Sequence, residues 1–457
     1  MATNPNSRLS RRTKLAYGMG DIGFSLTSTL IAVYYLIFLT DVVGLRAGLA
    51  GTAIMVAKQW DWINDPLVGH ISDRTRSRWG RRRPYLLFGL VPFALVFTLM
   101  WWRPPIASQG WLAVYYGAVF MLYDTVASFL YMPYFALTPE LTDDYDERTS
   151  LTTYRMAFSI GGSLVAFIVP AMIIGEFHPD NAHRVLWAGG LFALLSALPL
   201  LGTFFGTRED TNLQTTATPS LRQSVRAALR NKAFLFAAGL FLLTWGAFDV
   251  IQAVLLYLLN YWLRIESVDL VFAVVFVTAL LVLPLWERVS RRTNKRKAYI
   301  RGIAFWAAVQ IAMVALAPAP PLWLVLFLGA MAGIGVAAAH VLPWAIIPDA
   351  VEADEMETGA RHEGMFYSLV MLMHKAASGL ALLMVGWALD LSGYVPNAAQ
   401  QPTSALNAIR ALGGPVPALL FCGGIAFAAL FPITRESHHD MVAALQERRA
   451  AAVSEAE

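Results

Sequence analysis

The chain has 457 residues, of which 57% are hydrophobic and 14% charged, with a net charge of +4 and a mean hydropathy of +0.53. Soluble globular chains carry about a quarter of their residues as charges, so this composition excludes a soluble domain and indicates a polytopic membrane protein. The pI near 9.1 then encodes topology, not a nucleic-acid partner, and the single cysteine, Cys422, permits no intrachain disulfide.

The first residues, to about Lys14, are polar and basic, and the apolar segment after them is too long for a cleavable signal core. Twelve apolar segments follow, at about 15–40, 47–71, 85–102, 110–138, 152–175, 185–205, 234–262, 268–286, 299–317, 322–347, 364–391 and 414–433. Each is long enough for a membrane-spanning helix. An even count puts both termini on one side. With the N-terminus assigned to the cytoplasm, inside segments hold nearly all the Arg and Lys. Outside loops hold only Arg46, Arg103, Arg184, Arg264 and Arg410. This asymmetry supports both the count and the orientation.

The chain repeats in halves. The second span is followed by Asp73-Arg-Thr-Arg-Ser-Arg-Trp-Gly-Arg-Arg-Arg-Pro-Tyr85, and the eighth by Arg288-Val-Ser-Arg-Arg-Thr-Asn-Lys-Arg-Lys-Ala-Tyr299. Both are basic turns that close on an aromatic. The fourth and tenth spans are each followed by an acidic loop, after Pro139 and Pro348. Matching loops six spans apart indicate a duplicated six-helix unit. The expected fold is an all-α polytopic membrane protein with twelve helices in two pseudo-symmetric bundles, the architecture of the major facilitator superfamily. The expected divisions are an N-terminal bundle at 1–205, a cytoplasmic linker at 206–232, a C-terminal bundle at 233–435 and a cytoplasmic tail at 436–457.

The chemistry concentrates in Lys58-Gln-Trp-Asp-Trp-Ile-Asn-Asp65-Pro66, inside the second span. Asp61 and Asp65 are one helical turn apart and share a face, with Asn64 at its edge. A carboxylate at bilayer depth costs about 2.5–3.5 kcal/mol on insertion scales, so something compensates the pair. A hard cation suits such oxygen ligands; so does a shared proton, since close carboxylates raise each other's pKa. Lys58, three residues before Asp61, is a purely structural alternative. Asp249 in the seventh span either faces a cavity or caps a break near Gly246. Trp344, after Pro343, reads as packing or gate. His70, His340 and His374 show no metal-ligand spacing, and no phosphate-binding glycine loop is present.

Several motifs together resemble the glycoside–pentoside–hexuronide cation symporters, the family of the melibiose permease. They are Lys14-Leu-Ala-Tyr-Gly-Met-Gly-Asp-Ile-Gly23, Trp60-Asp-Trp-Ile-Asn-Asp-Pro66, Trp79-Gly-Arg-Arg-Arg-Pro84, Pro133 to Tyr154-Arg155, and Pro343-Trp through Tyr367 to Lys375. The resemblance implies a cation site at Asp61, Asn64, Asp65 and Ser128, with Asp61 and Asp65 the charged ligands of Na+ if sodium is the coupling ion. It implies substrate contacts at Arg155 and Lys375. The permease presents acids to its sugar from the first and fourth spans; the matching positions here are Ser25 and Tyr131, and Phe135 stands where the permease has tryptophan. Asp21, one turn before Ser25, replaces the lost acid. Asp73, Arg81 and Arg82 read as gate elements, with the acidic loops at 143–147 and 352–357 as their partners.

The implied function is Na+- or H+-coupled symport of a sugar or glycoside by alternating access, in the cell membrane, by a monomer without cofactor or catalytic residues. Two alternatives stand beside it. Animal lipid and lysolipid carriers of this fold share the Trp-Asp-x-x-x-Asp-Pro element. Membrane prenyltransferases bind Mg2+ through paired Asp, but need a second acidic motif of the same kind.

Overall fold

A computed structural model describes residues 9–142, 145–209, 230–358, 363–433 and 441. Most of the expected linker and nearly all of the expected tail lie outside these residues. Every one of the twelve expected spans is a helix or a pair of helices joined end to end. The first runs Arg11–Leu30 and continues through two π-helical turns, Ile31–Tyr35 and Phe38–Val42. The second is Ala47–Gln59 and Asp61–Arg74, and the third is Arg83–Phe88 and Leu90–Met100. The fourth to sixth are Gln109–Ala136, Tyr145–Ile174 and Ala182–Gly206. The seventh to ninth are Lys232–Tyr257 with a π turn Leu258–Leu263, Val268–Arg292 and Lys295–Ala315. The last three are Leu322–Thr358, Glu363–Leu391, and Thr403–Gly413 with Pro415–Leu430. The last span thus starts about ten residues before the expected 414, because Thr403–Gly413 is a half-polar helix that a hydropathy reading passes over.

Among the described residues nine helices are individually long and apolar enough to cross a membrane. The first three spans are the remainder. Charges interrupt the first, and the other two are broken at Trp60 and Gly89. Starts are set by local chemistry: Ser10 Oγ accepts from Thr13 N at 3.1 Å, Asn231 Oδ1 from Phe234 N at 2.9 Å and Asn294 Oδ1 from Arg296 N at 2.9 Å. Each satisfies an amide that the helix leaves open.

The chain forms two compact units. The first comprises the described residues of Met1–Thr215 with Gln252–Ala273 and Leu382–Ile409. Its first span packs along the fifth and sixth, the second on the fourth, and the third on the fourth and sixth. An aromatic core of Tyr35, Phe38, Phe93, Phe97, Trp101 and Tyr116 fills it, all buried. Gly51 and Gly386 bring the second and eleventh spans together: a Cβ on Gly386 would stand 2.4 Å from the Ala47 carbonyl and 3.0 Å from the Gly51 Cα. Small residues permit such approach between membrane helices. The second unit comprises the described residues of Thr216–Ile251, Val274–Ala381 and Arg410–Glu457. There the ninth span packs on the tenth and twelfth, the relation that the third has to the fourth and sixth. Trp306 and Phe421, 4.7 Å apart, anchor its core.

Candidate functional site

The second span is one segment in the sequence and two helices in the structure. At Trp60 the helix tightens, with Trp60 N bonded to the Ala57 carbonyl at 3.0 Å, and it restarts at Asp61. Pro66 has no amide hydrogen, so the helical bond to the Trp62 carbonyl cannot form. The Trp60 indole donates to Thr125 Oγ1 at 2.9 Å, tying the break to the fourth span. This sets the acidic face. Asp61 and Asn64 are buried, at 6% and 2% exposure. Ser128 Oγ donates to Asp65 Oδ1 at 2.7 Å, and Asn64 Nδ2 reaches the Asp124 carbonyl oxygen at 3.4 Å. Three of the four expected cation residues therefore meet across the second and fourth spans, and Asp61 is buried in the same turn of helix.

Asp124 is a residue that the sequence reading missed. Its side chain and that of Asp61 both act electrostatically on Tyr123. The signal was present: Asp124 lies one turn before Ser128 inside an apolar helix, and an intramembrane carboxylate is functional by default. Carboxylates, an amide and a hydroxyl form a hard donor set, suited to Na+ or to a proton. Among the described residues no group of three or more His, Cys, Asp or Glu gathers to hold a metal.

A second polar group adjoins the same helix further along. Arg155 of the fifth span pairs with buried Asp21 of the first, Nε to Oδ2 at 3.8 Å. The guanidinium lies over the Phe135 ring, 5.1 Å from its centre, a cation–π contact. Phe135 stacks on Tyr131 at 6.4 Å, and Phe24 meets both rings edge-on at 5.3 and 5.4 Å. Arg155 Nε and the Tyr131 hydroxyl have no hydrogen-bond partner among the described residues. The arrangement offers a planar cation and flat aromatic faces beside an acid. The expected set Asp21, Tyr131, Phe135 and Arg155 comes together. Ser25 does not join it as an open contact: its hydroxyl donates to the Ile22 carbonyl at 3.0 Å, and it is pressed against Gly162, where a Cβ would stand 2.3 Å away. Lys375 belongs to the second unit, on the eleventh span.

The gate residues are resolved in part. Arg81 and Arg82 both grip Glu140 Oε1, at 2.8 and 3.0 Å. Arg82 also donates to Ser72 Oγ at 2.6 Å. Glu209 caps the turn by accepting from the amides of Arg81, Arg82 and Arg83 at 2.6–2.9 Å. Gly80 sits at φ +100°, and a Cβ there would stand 2.4 Å from the Glu209 carboxylate. In the second unit Lys295 pairs with Asp349. The acids directly after Pro139 and Pro348 thus serve as partners of the two basic turns, and the side chains of 143–146 and 357 in the expected acidic loops lie outside the described residues. Glu147 pairs instead with Lys14 at 3.0 Å. The side chain of Asp73 lies outside the described residues.

The seventh helix does not break at Gly246; Asp249 faces His374 of the eleventh, Oδ2 to Nε2 at 3.3 Å. Trp344 stacks on Tyr367 and meets Phe241 edge-on. A cluster that the sequence reading missed lies at the far end of the first unit. Buried Asp41 accepts from Tyr394 at 2.7 and 2.8 Å, from Thr40 at 2.6 Å and from Tyr261, and its carbonyl accepts from Asn397 Nδ2 at 2.6 Å. Alongside it Arg46 pairs with Asp390 at 3.0 Å.

The sequence profile of a family described as MFS/sugar transport protein matches residues 16–435. The chain belongs to that family. It is 33% identical to "Uncharacterized symporter sll1374" of Synechocystis sp., covering 97% of this chain and 98% of that one. It is 27% identical to "Sodium-dependent lysophosphatidylcholine symporter 1" of Gallus gallus, covering 97% and 90%. The fold is that of the xylose transporter XylE from E. coli in its inward open conformation, with a TM-score of 0.62 at 15% identity, covering 94% and 98%. The protein is a multi-pass membrane transporter of the major facilitator fold.

Proposed function

We propose that this protein is a cation-coupled symporter of a sugar or glycoside, with Na+ or H+ as coupling ion and no other cofactor, acting as a monomer with both termini in the cytoplasm. Its two halves, at 1–205 and 233–435, would rock about the linker. One observation carries the reading. Asp124, Ser128, Tyr131 and Phe135 fall at spacings of four, three and four along one helix, so they form a single stripe. The cation residues and the substrate residues share that stripe. An ion drawn between Asp61, Asn64, Asp65, Asp124 and Ser128 clamps the second span on the fourth. That fixes Tyr131 and Phe135 against Arg155. Binding of each ligand then favours the other, by about 1–3 kcal/mol in typical coupled sites. Arg155 donates a fork to vicinal hydroxyls or a uronic carboxylate, and Asp21 keeps its charge compensated between loads.

The fastening at Asp41 lies at the end opposite the basic turns, which the charge asymmetry places outside. Alternating access requires it to open for loading.

The lysolipid reading is a second candidate, favoured by the Gallus gallus relative: Arg155 would hold a phosphate and the aromatic rings an acyl chain. Cation uptake into vesicles, evoked by a panel of glycosides, pentosides and uronides or by lysophosphatidylcholine, separates the two. Sugar-evoked uptake lost in Asp65→Asn supports the proposal. Uptake evoked only by the lysolipid overturns it.

A further inference from the structure

The second unit holds a polar cluster that the cation and substrate residues above do not use. Asp249 lies mid-way along Lys232–Tyr257, His374 within Glu363–Leu391 and His340 within Leu322–Thr358. Asp249 Oδ2 and His374 Nε2 are 3.3 Å apart, but not aligned as a hydrogen bond. Both atoms are buried and neither has a hydrogen-bond partner among the described residues. The same is true of Trp245 Nε1, whose ring lies 5.3 Å from His374 and 5.0 Å from His340. A carboxylate oxygen, an imidazole nitrogen and an indole N–H thus converge with bonding capacity unused. Buried polar atoms are nearly always satisfied in folded proteins, and a bare one is costly. Beyond the charge contact between Asp249 and His374, a group from outside the chain would satisfy these atoms.

The surroundings define its chemistry. Phe241 stacks on Trp245 at 5.9 Å and meets Trp344 edge-on at 4.7 Å, and Trp344 lies parallel to Tyr367. His340 is already committed: its Nδ1 lies 2.9 Å from the Val336 carbonyl, which can only accept, so Nδ1 carries the hydrogen. The cluster therefore sets flat aromatic faces beside one acceptor and one donor. A sugar ring matches both features, with an apolar face to stack and hydroxyls that donate and accept. A bare cation would meet the carboxylate and leave the indole N–H unmet. An acyl chain would leave all three atoms unmet. The Asp249 and His374 side chains keep 12% and 21% exposure, so the cluster is not sealed on every side.

We propose that Asp249, His374 and Trp245 form a sugar-hydroxyl recognition site in the second unit. Asp249 Oδ2 accepts from one hydroxyl, Trp245 Nε1 donates to another, and His374 Nε2 bonds a third group on the ring. This rests on the sugar-symport reading and assigns the C-terminal half its own share of substrate specificity.

The test is glycoside binding to the purified full-length protein by calorimetry. The ligands are p-nitrophenyl galactosides, glucosides and xylosides with their mono-deoxy analogues. The proteins are wild type, Asp249→Asn, His374→Gln and the conservative Trp245→Phe, each first shown to keep the wild-type unfolding temperature and elution volume. The expected result is binding at least about tenfold weaker in each variant, the effect of losing one good hydrogen bond. One deoxy analogue should bind wild type at least about tenfold more weakly than its parent, and Asp249→Asn should bind the two equally. A general packing defect would not erase that difference. Wild-type binding with unchanged affinities in Trp245→Phe and the folded polar variants, or with deoxy penalties intact, overturns the site alone. Wild type that binds none of the sugars overturns the symport reading, and the site with it.

Discussion

Ser128 shows how much one hydroxyl can do in a low-dielectric helix pair. It is the side chain by which the fourth span touches the acidic face of the second, at 2.7 Å from Asp65. Hydrogen bonds to charged groups are worth about 1.5–3 kcal/mol, so Ser128→Ala should weaken cation binding by roughly tenfold or more. Calorimetric titration with Na+ at fixed pH checks it. If the stripe couples the two ligands, that variant's sugar affinity becomes insensitive to Na+. Arg155→Gln should act in the opposite direction. It removes the fork that reaches substrate but leaves the Ser128–Asp65 bond, so Na+ affinity in the absence of sugar stays within about twofold, while sugar-evoked uptake falls by about tenfold or more. The acidic face was legible in the sequence, because two carboxylates one turn apart in an apolar run are conspicuous. Asp124 was overlooked because it is the one charged residue of its helix, and that its side chain and that of Asp61 both act on Tyr123 is seen only in the folded chain. Ser25 went the other way: its position matched a ligand position, but its neighbour across the helix is Gly162, and nothing local to residue 25 reveals that.

Elements show the duplication most clearly. In each unit a basic turn closes on the acid that directly follows a proline, Arg81 and Arg82 on Glu140 and Lys295 on Asp349. The loops were matched from sequence, but these two partners were not singled out, since a run of acids offers many candidates and spacing alone does not rank them. The two latches differ on the basic side. Arg82 and Glu140 are 7% and 4% exposed, whereas Lys295 is 37% exposed on an Asp349 that is 9% exposed. Removing one partner of a buried pair costs about 3–5 kcal/mol, and solvent around Lys295 screens the second pair and lowers its share. Glu140→Gln should therefore lower the unfolding temperature in detergent well beyond Asp349→Asn, and a differential scan of both tests this. Gly80→Ala should cost about 1–2 kcal/mol through its left-handed backbone and the nearby Glu209 carboxylate. Segment existence was legible throughout, since hydropathy reports length and composition. The break at Gly89 was not, because it lies inside an apolar run, and the one at Trp60 was not, because its flanking polar residues read as a binding face before they read as a helix break.

At the scale of the whole molecule, transport requires parts of the chain distant in sequence to fasten and release. Asp41 collects the ends of the first, seventh and eleventh spans through Tyr261, Tyr394 and Asn397. It escaped the sequence reading because it falls one residue past the estimated end of the first span. Replacing Asp41 by Asn removes the charge that strengthens those bonds. Amide hydrogen exchange in segments 31–43 and 394–401 should then accelerate by about tenfold or more, with little change near Glu140; equal rates in wild type and variant would show that the carboxylate does not hold this end. The same fastening limits leak. The Tyr261 and Tyr394 hydroxyls bond the same carboxylate from two other parts of the chain, so withdrawing Asp41 breaks both, while Thr40 moves with it. At about 1.5–3 kcal/mol each, giving up both makes the ajar state roughly a hundredfold or more rarer. In the proposed symport, ions that would slip through without cargo meet that barrier on every attempt, so part of the steepness of the ion gradient would rest on a carboxylate remote from the proposed cation and substrate residues.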